Sequence, residues 1–359
     1  MKDRLSEPPT PQEARLRTIL NSMVEAVFVT DDKGRVVLTN RALDALIDRD
    51  VRGRRAKNVI RSPQLKNAIR KARKKNEATE VELETLIGER FHTFHAQVAP
   101  LPKGQGVVTV LHDVTSLKNA DRVRRDFVAN ASHELRTPLT AIRGFAETLQ
   151  DGALESPDAA RRFVSAILRH TLRLQRLAED LTVLAQAESP EHDYQAAKVD
   201  VRSVFRDSAA SLETFARRKG VRLSLEMPNE PVNANVSARA LDHVLINLIE
   251  NAIKYSNESG EVVARLVPTP ESLVFEVQDW GPGIPAKYHD RIFERFYRVD
   301  KGRSREEGGT GLGLAIVRHL VGRMGGSVEV QSEVGQGALF RVTIPPDTDE
   351  PDDEPPADA

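Results

Sequence analysis

Residues 242–256 read DHVLINLIENAIKYS, and the spacing of their apolar side chains decides what lies against them. Together with Leu241, residues Leu245, Leu248, Ile249 and Ala252 recur at helical intervals, so a helix over 237–255 presents one apolar face to a core. Asn247, Asn251 and Lys254 fall on the opposite face at i, i+4 and i+7. Two carboxamides and an ammonium in one row are either a solvated surface or a pair of cation ligands beside a phosphate contact. The neighbouring elements supply the core. A helix is predicted over 203–218, followed by strands in VRLSLEM (221–227), VVARLVP (262–268) and SLVFEVQD (272–279), further helices, and closing strands in SVEVQSE (327–333) and ALFRVTIP (338–345). That order predicts a two-layer α/β sandwich with a mixed sheet over 198–346.

Two glycine-bearing stretches interrupt this pattern. DWGPGI (279–284) puts Asp279 at a strand end, followed by Gly281 and Gly283. GGTGLGLAIV (308–317) opens a helix with Gly309, Gly311 and Gly313, where free backbone N–H groups can meet phosphate. Its spacing is neither the dinucleotide G-x-G-x-x-G nor a P-loop, since no G-K-[ST] follows.

Upstream, residues 116–188 are helical and divide at QDGALESPD (150–158), where Gly152 suits a helix end and Ser156 with Pro157 suits a helix start. In the second arm Phe163, Ile167, His170, Leu174, Leu177, Leu181 and Leu184 alternate at spacings of 4 and 3, a coiled-coil seam. Val128, Ser132, Leu135, Leu139, Ile142, Ala146 and Leu149 do the same in the first. Two narrow seams bury little alone, so two such hairpins are expected to pair as a four-helix bundle in a homodimer. His170 reads as a polar seam residue that fixes register. His133 and Glu134 sit about 100° and 200° around the helix from seam residue Ser132, so both are expected to face solvent. Pro138 has no N–H for the Glu134 carbonyl, and the helix is expected to bend or loosen beside His133. Imidazole is a nucleophile near neutral pH, and an adjacent carboxylate can hold one ring proton while the other nitrogen attacks. A surface histidine beside a glutamate is, on its own, ordinary.

Residues 14–115 alternate strand-like runs with helices and predict a small α+β domain with an antiparallel sheet. His92, His95 and His112 lie in its strands and read as ordinary alternating residues, with no coloured cofactor expected. A chain of 359 residues suits two or three domains, and 40% hydrophobic residues, 29% charged residues and a net charge of −1 describe a globular protein with no demand for nucleic acid. Residues 51–75 hold eleven Lys or Arg and no acid, either a solvated helix face or a patch for a membrane surface or partner. The tail 347–359 is acidic and is expected to be disordered. The chain has no cysteine, which excludes disulfides and thiolate metal sites and suits a reducing cytoplasm. No apolar run approaches the ~18 residues of a membrane span, and the first residues lack a signal-peptide core, so a cytoplasmic chain is expected.

The chain resembles the sensor histidine kinases of bacterial two-component systems. FVANASHELRTPLTAIRGFAETL (127–149) is similar to their H box, NLIENAIKYS (247–256) to the N box, and DWGPGI to the G1 box. FERFYRVD (293–300) is similar to the F box, and GTGLGLAIV (309–317) to the G2 box. Within that family, RRDFVANASHELRTPL and GFAETLQDGALESPDAARRF look closest to the phosphate-regulon sensor kinases. The resemblance implies an α+β multidomain chain in four parts: a PAS-like sensor domain over 14–115, a helical-hairpin dimerisation and histidine phosphotransfer domain over 116–188, a two-layer α/β ATP-binding sandwich of Bergerat type over 198–346, and the tail. Such relatives usually begin with membrane helices. This sequence shows none, so either a cytosolic variant or a shortened chain, with at most peripheral membrane contact, is expected.

The resemblance further implies that His133 accepts phosphate from Mg²⁺-ATP, Glu134 orients it and Thr137 serves dephosphorylation. By the same likeness Asn251 binds Mg²⁺ with help from Asn247, and Lys254 and Tyr255 contact ATP. Asp279 accepts a hydrogen bond from the adenine amine while Gly281 and Gly283 bring the backbone close to the base. Gly309, Thr310, Gly311, Leu312 and Gly313 form the phosphate-facing turn. The implied partners are a second copy of the chain and a cognate response regulator. Two alternatives are an ATP-hydrolysing GHKL machine of topoisomerase or chaperone kind, which places a water-activating glutamate where this chain has Asn247, and a non-catalytic scaffold.

Overall fold

A computed structural model describes residues 11–189, 194–299 and 309–345, so the expected acidic tail lies outside the described residues. The chain forms two compact units, Met1–Asp126 and Phe127–Ala359, each with its own hydrophobic core.

The first unit runs α1 (Pro11–Ser22), β1 (Ala26–Thr30), β2 (Val36–Thr39), α2 (Arg41–Ile47), α3 (Pro63–Lys75), β3 (Thr79–Ile87), β4 (Arg90–Pro100) and β5 (Val107–Asp113). Its sheet has the order β2-β1-β5-β4-β3 and is antiparallel throughout. Alternation fixes the faces: Phe94, Ala96 and Val98 of β4 point inward and are buried. Helix α3 begins where Ser62 accepts the Leu65 N–H ahead of Pro63, and it buries Leu65, Ala68, Ile69 and Ala72 on the sheet side. Its lysines and arginines are exposed opposite that buried face, which makes α3 amphipathic. The three strand histidines each meet a carboxylate: His92 with Asp113, His95 with Glu80, His112 with Glu25.

Helix α4 (Thr115–Gln150) leads into the second unit, and α5 (Pro157–Glu188) returns beside it after a turn in which Gly152 has φ 115°. Then come β6 (Ala197–Asp200), α6 (Val201–Lys219), β7 (Arg222–Glu226), β8 (Asn233–Val236), α7 (Ala238–Tyr255), β9 (Glu261–Pro268), β10 (Leu273–Asp279), α8 (Gly313–Arg323), β11 (Ser327–Glu333) and β12 (Gly337–Ile344). A five-stranded sheet of order β11-β12-β10-β9-β7 is parallel only between β7 and β9, which makes it mixed. Helix α7 lays Leu241, Leu245, Leu248, Ile249 and Ala252 into the core, as its spacing required. The short pair β6–β8 was not predicted. At four residues each, its strands are too short to show a pattern.

Helix α4 continues through Pro138, which is buried. One expectation about the hairpin changes. The second-arm seam is not left over for another copy: the Phe145 ring lies 5.8 Å from Phe163 and 5.9 Å from His170, and Leu177 and Leu184 join the core of the sandwich. Two residues of the first-arm seam, Val128 and Leu139 on α4, remain outside, as do Val164, Leu168 and Leu172 on α5, which lie off the predicted second-arm seam; all five are about half exposed. The 4-3 pattern located an apolar stripe but could not say which neighbour covers it. No helix among the described residues is long and apolar enough to cross a membrane.

Candidate functional site

A cleft of about 900 Å³ opens between α7, the end of β10, the turn into α8 and the C-terminal half of α5. Asn247, Asn251, Lys254 and Tyr255 from α7, Asp279 and Gly283 after β10, and Gly309, Thr310, Gly311 and Gly313 from the turn all line it. Residues spread over more than sixty positions of sequence are thus brought to one wall.

Strand parity delivers Asp279. Leu273, Phe275, Val277 and Asp279 share the inner face of β10, so the strand that buries three apolar side chains buries this carboxylate too, leaving it 4% exposed. Burial pushes its pKa up to about 6, against the stabilising amides of Gly281 and Ala338. The Gly281 N–H donates to Asp279 Oδ1 at 2.9 Å. A desolvated carboxylate is a strong acceptor for a neutral donor.

Gly281 itself does not line the cleft. A Cβ there would come within 2.2 Å of the Tyr255 carbonyl oxygen, so its lack of a side chain lets the loop pass against the end of α7. Gly313 works similarly, since a Cβ would lie 2.4 Å from Asn247 Oδ1. Asn247 donates its amide to the His243 carbonyl at 2.8 Å, and α8 therefore starts directly on α7. Leu312, whose side chain is fully buried, belongs to the core rather than the cleft. Lys254 is buried, with Nζ 5.6 Å from the centre of the Tyr255 ring.

His133 is exposed on α4, as its helical phase required. Glu134 departs from expectation. Its side chain is only 17% exposed, with Oε2 accepting from Arg173 at 3.0 Å and from Arg298 at 3.4 Å. The hydroxyl of Thr137 donates to the His133 carbonyl at 3.1 Å. Arg298 also donates to the Gly309 carbonyl, and Thr310 Oγ1 donates to Asp180 Oδ2 at 2.6 Å. Burial raises the Asp180 pKa to about 6 and the charges of Glu250 and Glu179 add to it, while the Thr310 hydrogen bond and Arg176 oppose it. Phe127 of α4 packs on Phe296 at 5.8 Å, with the Arg295 guanidinium over its ring.

Sequence reasoning missed Asp180 and Arg173. The one available signal was their phase on α5, where Arg173, Leu177 and Asp180 share a face at i, i+4 and i+7.

Three family models match successive parts of the chain: the PAS fold over residues 20–119, the His Kinase A (phospho-acceptor) domain over 123–190, and the histidine kinase-, DNA gyrase B- and HSP90-like ATPase over 236–348. The sensor protein kinase WalK of Staphylococcus aureus is 32% identical over 343 residues, covering 93% of this chain and 81% of that protein. The sensor histidine kinase WalK of Bacillus subtilis is 31% identical over 353 residues, covering 95% and 57%. The sensor protein SrrB of Staphylococcus aureus is 29% identical over 336 residues, covering 91% and 55%. The chain thus spans little more than half the length of these last two relatives. A crystal structure of the histidine kinase ThkA in complex with the response regulator protein TrrA superposes with a TM-score of 0.52 at 23% identity, over 92% of this chain and 98% of that one, a likeness of fold.

The buried Asp279 carries a pH signature. An aspartate raised from 3.8 to about 6 contributes its full share of stability below pH 4 and loses it as pH rises through 6. At pH 7 that loss is on the order of 3 kcal/mol. Asp279→Asn is expected to resist urea better than the parent at pH 7, with the advantage shrinking as pH falls from 6 to 4. A variant less stable than the parent at pH 7 would contradict this account of the carboxylate.

Proposed function

The chain belongs to the sensor histidine kinases, and from that membership we propose that it transfers the γ-phosphoryl group of ATP to His133 and passes it to an aspartate of a partner response regulator. The observation that carries the proposal is the joint presence, in one compact unit, of an exposed histidine, His133, next to Glu134 and a cleft that suits a nucleotide. The fit is chemical as well as spatial. The Asp279 carboxylate suits the exocyclic amine of adenine, Lys254 and Tyr255 stand on the same wall, and the turn before α8 offers backbone to phosphate at a helix start. Mg²⁺ needs few protein ligands when phosphate and water supply the rest, and the Asn251 carboxamide, with Asn247 beside it, is a hard oxygen donor of the right kind. Among the described residues no cluster of three or more His, Cys, Asp or Glu could hold a metal alone, which agrees with a cation shared with its nucleotide.

In this reading an imidazole nitrogen of His133 forms a bond to the γ-phosphorus as the bond to the bridging oxygen breaks and ADP leaves. Glu134 holds the proton on the other ring nitrogen. Catalysis is mostly positioning and charge stabilisation, with Mg²⁺ neutralising the charge of the phosphates. The regions 14–115, 116–188 and 198–346 take the roles of sensor, dimerising phosphotransfer hairpin and ATP-binding domain. With ATP and a regulator as its partners, the proposed work is cytoplasmic. The finer reading, phosphate-starvation signalling, rests on the likeness of 124–139 and 144–163 alone. The dimer, in our proposal, uses the exposed row Val128, Leu139, Val164, Leu168 and Leu172, apolar surface that a second hairpin would cover.

With radiolabelled ATP the protein is expected to acquire acid-labile, alkali-stable label that His133→Gln abolishes; ATP hydrolysis without labelling would favour the ATPase alternative. Thr137→Ala is expected to keep autophosphorylation while slowing decay of the purified phosphorylated regulator about tenfold or more, because a hydroxyl one turn from His133 can orient the attacking water. Equal losses in both reactions would remove that separation of roles. Leu168→Asp with Leu172→Asp is expected to give monomers by sedimentation, since a charge cannot be desolvated there without a partner. A double variant that still sediments as a dimer would move the association elsewhere.

A further inference from the structure

The cleft contains an acid for which the proposed phosphotransfer has no use. Asp180 comes from α5 of the hairpin, not from the sandwich, yet it lines the same cavity as the turn 309–313. We propose that Asp180 is an anion gate of the nucleotide site: it holds Thr310, and with it the phosphate-facing turn, so that a triphosphate binds only by taking Thr310 away. The inference rests on the ATP reading above and adds a positioning residue that the hairpin supplies.

Hydrogen-bond bookkeeping shows why the two states exclude each other. The Thr310 hydroxyl has one proton, and it points at Asp180 Oδ2 over 2.6 Å. Its oxygen accepts the Leu312 N–H at 3.2 Å. Two donors that the turn could offer an oxyanion, the hydroxyl and one backbone amide, are therefore in use, and the hydroxyl shows a phosphate only lone pairs. Charge acts in the same direction. Around Asp180 stand Arg176 and Glu179 from its own helix, Glu250 and His243 from α7, and beyond the turn Arg298, which is engaged with Glu134 and the Gly309 carbonyl. Arg176 lies 3.7 Å from Glu250, so the charges that act on Asp180 itself, Glu250 and Glu179 against Arg176, sum to acidic, while Lys254 and Arg218 line the cavity further along. A triphosphate brought to the turn meets that acidic group as a like charge. Burial raises the Asp180 pKa to about 6, so the group is charged at neutral pH and the gate is weakest in mild acid.

The gate also touches the phosphoacceptor. Arg298 bridges the Gly309 carbonyl to Glu134, the carboxylate beside His133. A phosphate that pulls the turn from Asp180 disturbs the same arginine, and Glu134 then has one cation fewer to hold it away from His133. Nucleotide arrival and release of the His-Glu pair become one event.

The test compares wild type with Asp180→Asn, which keeps an acceptor for Thr310 but removes the charge. Dissociation constants are measured by calorimetry for Mg²⁺ with the β,γ-imido analogue of ATP, for ADP and for adenosine, at pH 5.5 and 8. The variant is expected to bind the triphosphate analogue about tenfold tighter at pH 8, ADP less so, and adenosine equally, with the triphosphate ratio falling below about twofold at pH 5.5. Taking the ratio cancels titration of the phosphates and of His243, common to both proteins. Equal triphosphate affinities at pH 8, a weaker variant, or a ratio indifferent to pH would overturn the gate while normal adenosine binding keeps the site intact. Failure of both proteins to bind any of the three ligands would instead overturn the ATP reading.

Discussion

The packing of the last turns of α5 into the sandwich is the interaction on which the rest of the second unit depends. Leu177, Val183, Leu184 and Ala187 belong to the same core as Phe205, Leu248, Phe275 and Ile316, so the helix that returns from the hairpin is also a structural wall of the cleft. Burying four side chains of this kind contributes several kcal/mol. That is enough to set the rotation of α5, and the rotation places Arg173, Arg176 and Asp180 against the sandwich. Every polar link between hairpin and cleft follows from an apolar one.

The polar contacts at this junction differ in kind from the core. Glu134 with Arg173 and Arg298, and Thr310 with Asp180, are charge-assisted contacts at a partly hydrated junction. Each contributes on the order of 1.5–3 kcal/mol at most, which is less than a nucleotide can supply by binding. The core is therefore the permanent part of the junction and the polar contacts are the exchangeable part. The phosphotransfer proposed above needs both, because in it the acceptor histidine and the nucleotide belong to different elements and must meet and separate in each cycle.

The cleft itself carries two buried acids, Asp279 and Asp180, both raised toward neutrality by desolvation. Their surroundings separate their uses. Asp279 is held by backbone amides at the end of a strand, rigid and short of donors, which suits recognition of a neutral amine. Asp180 is held by a single hydroxyl on a glycine-rich turn, near other carboxylates, which suits displacement. One physical cause, removal of water from a carboxylate, yields a fixed acceptor in one place and a removable one in the other.

The sequence by itself determined the periodic elements and what their ends carry. The apolar face of 241–252 required a core on one side and left Asn247, Asn251 and Lys254 on the other; SLVFEVQD put Asp279 at a strand end; Gly152, Ser156 and Pro157 marked the hairpin turn. Such features depend on neighbours a few residues away, and short-range periodicity reports them faithfully. Tertiary structure alone decided which stripe of the hairpin meets its own arm, that Gly281 and Leu312 serve packing beside the cleft, that Glu134 is taken up by two arginines, and that Asp180 joins the wall of the cleft. The reason is range: Glu134 and Arg298 are 164 residues apart, and Asp180 and Thr310 are 130 apart. Nothing in the local spacing of either partner encodes the packing that joins them.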